Sequence, residues 1–280
     1  MLESIKYVNS INKVIEFGKM PYFANKNDIR NFKWDYSSVN GRITSFSKGI
    51  VEKDIEVVIY STKDEEAYNA RNELFETLEY DVLKNVRGKL YIGDYYLNCN
   101  IVASDKENYN SSKRRCDLSL TIVTDSPYWF LERSFNFRSS SYGSEADQLD
   151  YGVFNDFPVS FPMDFQNSMI VNELINPNFI DSNFEIKIYG ACENPSINIK
   201  GNIYKVYTTL LYGEYLVINS REKKIYKVQA DGTIVNEFSN RDRDNYIFTK
   251  IPTGTCNVLY ENVSAFDVTI FEERSEPKWT

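Results

Sequence analysis

Four carboxylates in the second half of the chain, Asp181, Glu185, Glu193 and Glu214, have the chemistry for general acid–base work. A glycosidase needs such a pair held about 5 Å or about 6.5–9.5 Å apart. Spacing along the chain cannot place two of them at that distance, and in an acidic protein solvated carboxylates are the ordinary condition. The run Arg241-Asp-Arg-Asp-Asn offers Asp242, Asp244 and Asn245 as calcium-type ligands. It lacks the central glycine and the closing glutamate, its arginines would repel the ion, and it reads as a charged loop tip. The chain has no histidine, which removes the usual general base and the Ser-His and Cys-His nucleophile pairs.

Cys99, Cys116, Cys192 and Cys256 form no Cys-x-x-Cys pair, so their spacing gives no support to zinc. They read as free, buried thiols of a reducing compartment, with a Cys99–Cys116 bridge between neighbouring strands left open. Gly201, Gly213, Gly232 and Gly254 are single turn residues and make no phosphate-cradling loop. Trp129, Trp279 and exposed tyrosines such as Tyr212 have the ring faces that stack on sugars. The competing reading is that such rings fill cores and subunit interfaces. No catalytic residue, cofactor or metal is expected, and the protein reads as a non-enzyme.

Composition narrows the partners. Aromatics make up 15% of 280 residues, with 21 Tyr and 18 Phe against only 12 Gly, a bias that favours pleated, half-buried surfaces. The net charge of −8 argues against nucleic acid as a bound ligand, because such binding rests on Lys and Arg neutralising phosphates. No apolar run approaches the roughly 20 residues of a membrane helix. The start, Met1-Leu-Glu-Ser-Ile-Lys, has no signal-like apolar core, so folding in a cytoplasm is expected.

The elements that must position these residues centre on Ser61–Phe130. Apolar residues at Ala67, Ala70, Leu74, Phe75, Leu78, Val82 and Leu83 predict one helix with a single apolar stripe. Thr62 and Glu65 have capping-box spacing, and Gly88 beside Arg87 marks the end. A helix of about 22 residues cannot bury one stripe alone, so it must lie on a sheet. Two strands turning at Gly93-Asp94 follow, and then a strand from Cys116 with Leu118, Leu120 and Ile122 on one face, stopped by Pro127.

Before the helix, Leu2–Phe23 reads as a strand pair with its turn at Asn9–Lys13. Phe32, Trp34 and Tyr36 alternate on a further strand, and Arg42–Phe46 and Lys53–Tyr60 complete the first set. The aperiodic stretch from Arg138 to Asp147 marks a domain boundary, and Phe154–Phe165 reads as extended chain feeding a second sheet. From Phe179 onward short strands recur about every ten residues without a helix. They include pairs turning at Tyr212-Gly213 and Ala230–Thr233, a strand over Tyr246–Lys250, and two more after Pro252–Gly254. This half is expected to be a β-sandwich or jelly roll.

The order of elements resembles the distal tail proteins of long-tailed phages. The carrying features in the first half are Pro21-Tyr-Phe-Ala, the helix Ala67-Tyr-Asn-Ala-Arg-Asn-Glu-Leu-Phe, the hairpin Leu90–Val102 and Thr124-Asp-Ser-Pro-Tyr-Trp-Phe. The second half is similar to their galectin-like domain through Phe184-Glu-Ile-Lys-Ile-Tyr-Gly with Asn194-Pro-Ser-Ile, Gly213-Glu-Tyr-Leu-Val-Ile-Asn, Ile251-Pro-Thr-Gly-Thr-Cys-Asn and Phe271-Glu-Glu-Arg.

The resemblance implies a mainly β protein with one helix. Residues 1–137 would be a tail-tube-like split barrel that forms a ring. Residues 138–280 would be a galectin-like sandwich with an extended lead-in, 138–178. It implies a homo-hexamer at the tip of a phage tail or tail-like bacteriocin, assembled in the host cytoplasm. That ring would join the tail tube protein to hub, tail-lysin or fibre proteins, and its sandwich can carry receptor-binding proteins. DNA would pass through without being specifically bound, an acidic wall would repel it, and no membrane insertion is implied.

A cyclic ring needs two different patches per subunit. The N-terminal strands, the hairpin and the loop with Lys106, Asn108, Tyr109, Lys113 and Arg114 are the expected interface. The alternative function is a carbohydrate-binding or adhesion module for host-surface attachment, with Trp279 and Tyr212 as contacts to glycan or partner.

Overall fold

The structure is a computed structural model that describes residues 4–107, 113–138 and 172–279. It is mainly β, with one α-helix among the described residues. The chain divides into two compact units. The first is Met1–Leu131 with Glu272–Thr280, and the second is Glu132–Phe271. The expected boundary stretch 139–147 and the extended segment Phe154–Phe165 lie outside the described residues. The last residues, placed by the sequence in the second half, fold with the first unit. Arg30 holds them there by donating to the Pro277 carbonyl at 2.9 Å and pairing with Glu276 at 3.4 Å.

In chain order the first unit holds β1 (Ile5–Val8), β2 (Val14–Glu16), β3 (Gly18–Lys19), β4 (Tyr22–Asn27), β5 (Asp35–Val39), β6 (Arg42–Ser47) and β7 (Val51–Tyr60). Then come α1 (Asp64–Lys84), β8 (Gly88–Ile92), β9 (Tyr95–Lys106), β10 (Arg115–Thr124) and the start of β11 (Trp129–Arg138). Antiparallel pairing runs β2–β1–β8–β9–β10–β7–β4–β3. Phe17, between β2 and β3, donates to the Ile5 carbonyl at 2.8 Å and accepts from the Ala24 amide at 3.4 Å. Those two bonds join the ends of the series into a closed barrel. Alternation fills it: Leu118, Leu120 and Ile122 of β10, as the sequence predicts, meet Ile55, Val57 and Ile59 of β7 in the core.

Helix α1 packs on β9, β7 and β2. Its buried residues are Ala67, Ala70, Leu74, Thr77, Leu78 and Asp81, spaced by three and four, so the stripe exists but is rotated from the predicted one. Phe75, Val82 and Leu83 are exposed, while Thr77 and Asp81 lie inward. The capping box does not form. Lys63 is the N-cap without a side-chain bond, and the Ser61 hydroxyl donates to Glu66 at 2.7 Å instead. The helix ends at Asn85 in the left-handed region, whose N–H turns back to the Asp81 and Val82 carbonyls, and Gly88 already belongs to β8.

The second unit is a β-sandwich. It holds the remainder of β11 with β12 (Asn172–Asn176), β13 (Asn183–Tyr189), β14 (Cys192–Glu193), β15 (Ser196–Ile199), β16 (Asn202–Lys205) and β17 (Thr209–Leu210). β18 (Tyr215–Asn219), β19 (Lys224–Val228), β20 (Ile234–Asn236), β21 (Gly254–Glu261) and β22 (Ala265–Arg274, through Phe271) complete it. One sheet has the order β20–β19–β18–β13–β22–β11, the other β12–β21–β15–β16. Ile186, Ile188, Leu216 and Val268 of the first sheet meet Leu174, Ile197, Ile199 and Val258 of the second in one core. The Phe184 and Tyr204 rings cross between the sheets edge to face at 4.8 Å. The expected strand over Tyr246–Lys250 is absent. The Thr249 amide closes a turn on the Tyr246 carbonyl, and Ile247 and Phe248 are buried from that turn.

Candidate subunit interface

The outer surface of the first unit carries two unlike apolar patches. The first lies where α1 crosses β9. Because the buried stripe of the helix is narrow, Phe75, Val82 and Leu83 stay outside it, and Leu83 is 75% exposed. Phe75 and Val82, with Leu78, Val102 and Ala103, border a groove of about 200 Å³, with Glu79 at its edge. The ammonium of Lys106 stands 4.5 Å over the Phe75 ring at the same rim. The helix itself is strongly acidic, with seven carboxylates against Arg71 and Lys84 over Asp64–Lys84.

The second patch is the β5–β6 hairpin. Asn40 and Gly41, at φ +52° and +75°, make the tight turn that two-residue hairpins require. The two strands pair only with each other, and every residue of both is exposed. Tyr36 stands opposite Phe46, and an irregularity between Ser37 and Ser38 puts Ile43 opposite Ser38. Residues directly opposite share a face, so Tyr36, Ile43 and Phe46 form one apolar face, each more than half exposed. The sequence expectation of an alternating strand at Phe32, Trp34 and Tyr36 is corrected here. Phe32 and Trp34 precede β5, and all three rings are exposed.

The root of the hairpin is latched. Lys48 donates to the Ser275 hydroxyl at 2.7 Å and to the Pro127 carbonyl at 3.1 Å. Its ammonium lies 4.4 Å from the Tyr128 ring, 4.7 Å from Trp34 and 5.7 Å from Phe32, an aromatic cage. Burial, with the nearby Lys53 charge adding to it, pulls Lys48 down to about 8. Lys53 is also lowered by burial, and it donates to the Asn31 carbonyl. Both lysines line one pocket of about 180 Å³ with Asp28, Phe32 and Trp129.

The expected interface loop is partly visible. Asn108 and Tyr109 lie outside the described residues. The carbonyl of Lys113 accepts from Arg71 at 2.9 Å, and Arg114 pairs with Asp64 at 2.8 Å. The described part of the loop is therefore anchored to the first half of α1, and Lys106 sits at the groove. Tyr212, in the turn before β18, is 90% exposed. Trp279 belongs to the first unit and not to the sandwich, and the Arg30 guanidinium covers its ring at 3.8 Å. Trp129 is fully buried, which removes it as a stacking platform.

Three of the four candidate carboxylates have structural partners, and the fourth, Glu193, is exposed. Asp181 accepts from the Thr253 amide, Glu185 from Asn219, and buried Glu214 from the Leu211 amide at 2.8 Å. Asp242, expected at a charged loop tip, is buried and accepts from Asn245 at 2.7 Å. The hydrogen bond from Asn245 holds its carboxyl below the usual range. Among the described residues no group of three or more Cys, Asp or Glu is placed to hold a metal ion, and no helix is long and apolar enough to cross a membrane. All four cysteines are free, so the bridge left open between Cys99 and Cys116 is not formed.

No sequence-family profile matches the chain, and no curated protein matches its sequence. Solved structures do match in fold, over almost the whole chain. A chain of the phage P2 baseplate, in its activated conformation with calcium, superposes with a TM-score of 0.60 at 14% identity, covering 99% of this chain and 100% of that one. The same assembly with strontium gives 0.60 at 13% identity. The Dit protein of phage SPP1, described as a paradigm of the hub adsorption apparatus in phages that infect Gram-positive bacteria, gives 0.59 at 7% identity and covers 98% of this chain and 99% of that one. The chain shares its fold with these baseplate and Dit chains.

Proposed function

We propose that the protein is a structural component of a phage tail tip, a distal tail protein whose six copies close into a ring between the tail tube and the baseplate. The observation that carries this reading is the end-to-end fold match to a Dit protein and to baseplate chains. Identity of 7–14% leaves the fold as the shared property. The surface supplies the rest of the argument. Two dissimilar apolar patches on one unit suit a head-to-tail contact that closes on itself.

In this reading the protein has no catalytic task. Its partners are the tail tube protein on one side and hub, tail-lysin or fibre proteins on the other. The sandwich is the unit free to carry a receptor-binding protein, with Tyr212 at an exposed turn. The loop of Lys106, Asn108, Tyr109, Lys113 and Arg114 contributes to the ring contact, and deleting Lys106–Lys113 weakens the oligomer. The test is the solution mass of residues 1–280 by light scattering, with negative-stain images of the same sample. A six-fold ring with an open centre supports the reading. A protein that stays monomeric with purified tail-tube protein present, and binds glycans through its sandwich, overturns it in favour of an adhesion module.

A further inference from the structure

We propose that the β5–β6 hairpin of one copy docks, apolar face down, into the groove between α1 and β9 of the next copy. The inference rests on the ring reading and names the two surfaces that make the contact.

Four observations converge on it. The hairpin pairs with no other strand and shows Tyr36, Ile43 and Phe46 on one face, an arrangement that is marginal in water unless something covers it. The groove presents Phe75, Val82 and Val102 outward, with room for side chains to enter. The charges match: the arm carries exposed Lys33 and Arg42 against Asp35, while the helix beside the groove exposes Glu73, Glu76 and Glu79. Finally, the two surfaces differ and belong to one chain, so their contact is head-to-tail, as ring closure requires. The Lys48 latch fixes the root of the arm, which lowers the ordering cost of docking it.

The experiment uses the full chain. Benzoylphenylalanine in place of Phe46 is photolysed and the cross-linked peptides are sequenced by mass spectrometry. The expected adducts join Phe46 of one chain to α1 or β9 of another. Adducts to other segments in a sample that still forms rings overturn this contact and leave the ring standing. Absence of any inter-chain adduct overturns this contact, and absence of any oligomer with purified tail-tube protein present as well, together with glycan binding by the sandwich, overturns both.

A second measurement separates head-to-tail from symmetric contact. The variants Tyr36→Ser/Phe46→Ser and Val82→Glu/Leu83→Glu change exposed residues, so both fold, and circular dichroism checks this. Each weakens association by about thirtyfold or more. Mixed in equal amounts, one supplies an intact groove and the other an intact arm, so the mixture forms heterodimers and nothing larger. A mixture that stays monomeric, or a variant that still closes rings, overturns the proposal.

Discussion

The Tyr7 hydroxyl donates to Asp81 Oδ2 at 2.8 Å, tying the first strand of the barrel to the last turn of the helix across 74 residues of sequence. The other oxygen of Asp81 accepts from the Ser10 amide at 3.0 Å and the Ser10 hydroxyl at 2.6 Å. Asp81 is 0% exposed, a buried carboxylate whose oxygens are met by donors from the β1–β2 segment. This is why a polar residue sits inside the apolar stripe of α1. Tyr7→Phe removes one charge-assisted bond and is expected to destabilise the first unit by about 1.5–3 kcal/mol, and Asp81→Ala by more, since it strands three donors. Hydrogen exchange of the β1 and α1 amides reads the loss in that unit alone. Unchanged exchange in Tyr7→Phe would show that the bond contributes nothing net.

The same corner explains Gly88. A Cβ there would lie 2.2 Å from the Tyr7 hydroxyl and 2.6 Å from Asp81 Oδ2, atoms that the hydrogen bond holds in place. Gly88→Ala must push the tyrosine off the carboxylate, so its cost is expected to match or exceed that of Tyr7→Phe. Thermal denaturation of both variants, followed side by side, decides the order.

Lys48 offers a pH signature. Burial brings its ammonium from the ordinary 10.5 to about 8, so the folded chain gives up this proton more readily than the unfolded chain does. Between pH 8 and 10.5 the unfolded state binds the extra proton, and stability from this group rises with pH in that window. Below pH 8 both states are charged and the burial cost is fully present. In competitive labelling with trace acetic anhydride, the reactivity of Lys48 should level off near pH 8, whereas that of a free lysine side-chain amine added as internal standard keeps gaining to about pH 10. A Lys48 profile that parallels the free standard would refute the lowered value.

Much of this fold was legible because its signals are local. The Gly93-Asp94 turn, the alternation of β10 and the 3.6-residue period of α1 need only neighbouring residues. The rotation of the helix stripe was not legible. Leu83 and Phe75 are apolar but point out, and Asp81 is charged but points in, because tertiary partners outweigh pattern. The β5–β6 turn did carry a strong local signal in Asn40-Gly41. The capping box of Thr62 and Glu65 matched in spacing alone, since a neighbouring pair, Ser61 and Glu66, bonds there instead. The hairpin's exposed face and the groove could not be read at all, for exposure is decided by what the rest of the chain leaves uncovered.

The cysteines follow from their surroundings. Cys99 is pushed up to about 12 by burial, with the Asp81 charge adding to it and a backbone hydrogen bond at Leu90 opposing it, and Cys192 is raised by burial alone. Cys192 is the half-buried one, so with an aromatic disulfide reagent at pH 8 it should react first, and Cys99, Cys116 and Cys256 only as the units open. Reduction should leave the intact mass unchanged. Prompt reaction of two thiols would contradict the burial.

In the sandwich, Lys227 stands between two buried carboxylates, 3.9 Å from both Glu214 and Glu237, and is itself only 16% exposed. Each carboxylate has a further donor: the Leu211 amide for Glu214, and Asn240 for Glu237. Lys227→Met keeps the aliphatic stem but leaves two like charges buried at one end of β18–β19. The expected cost is about 1–3 kcal/mol, read as faster amide exchange in β18 and β19 with the first unit unaffected. Neutralising one acid at the same time should return part of it. If Lys227→Met/Glu237→Gln is no more stable than Lys227→Met, the lysine acts by packing and not by charge. If it is more stable, electrostatics hold this end of the sheet, and the turn carrying Tyr212 is fixed through Glu214, whose carboxylate binds the Leu211 amide next to it.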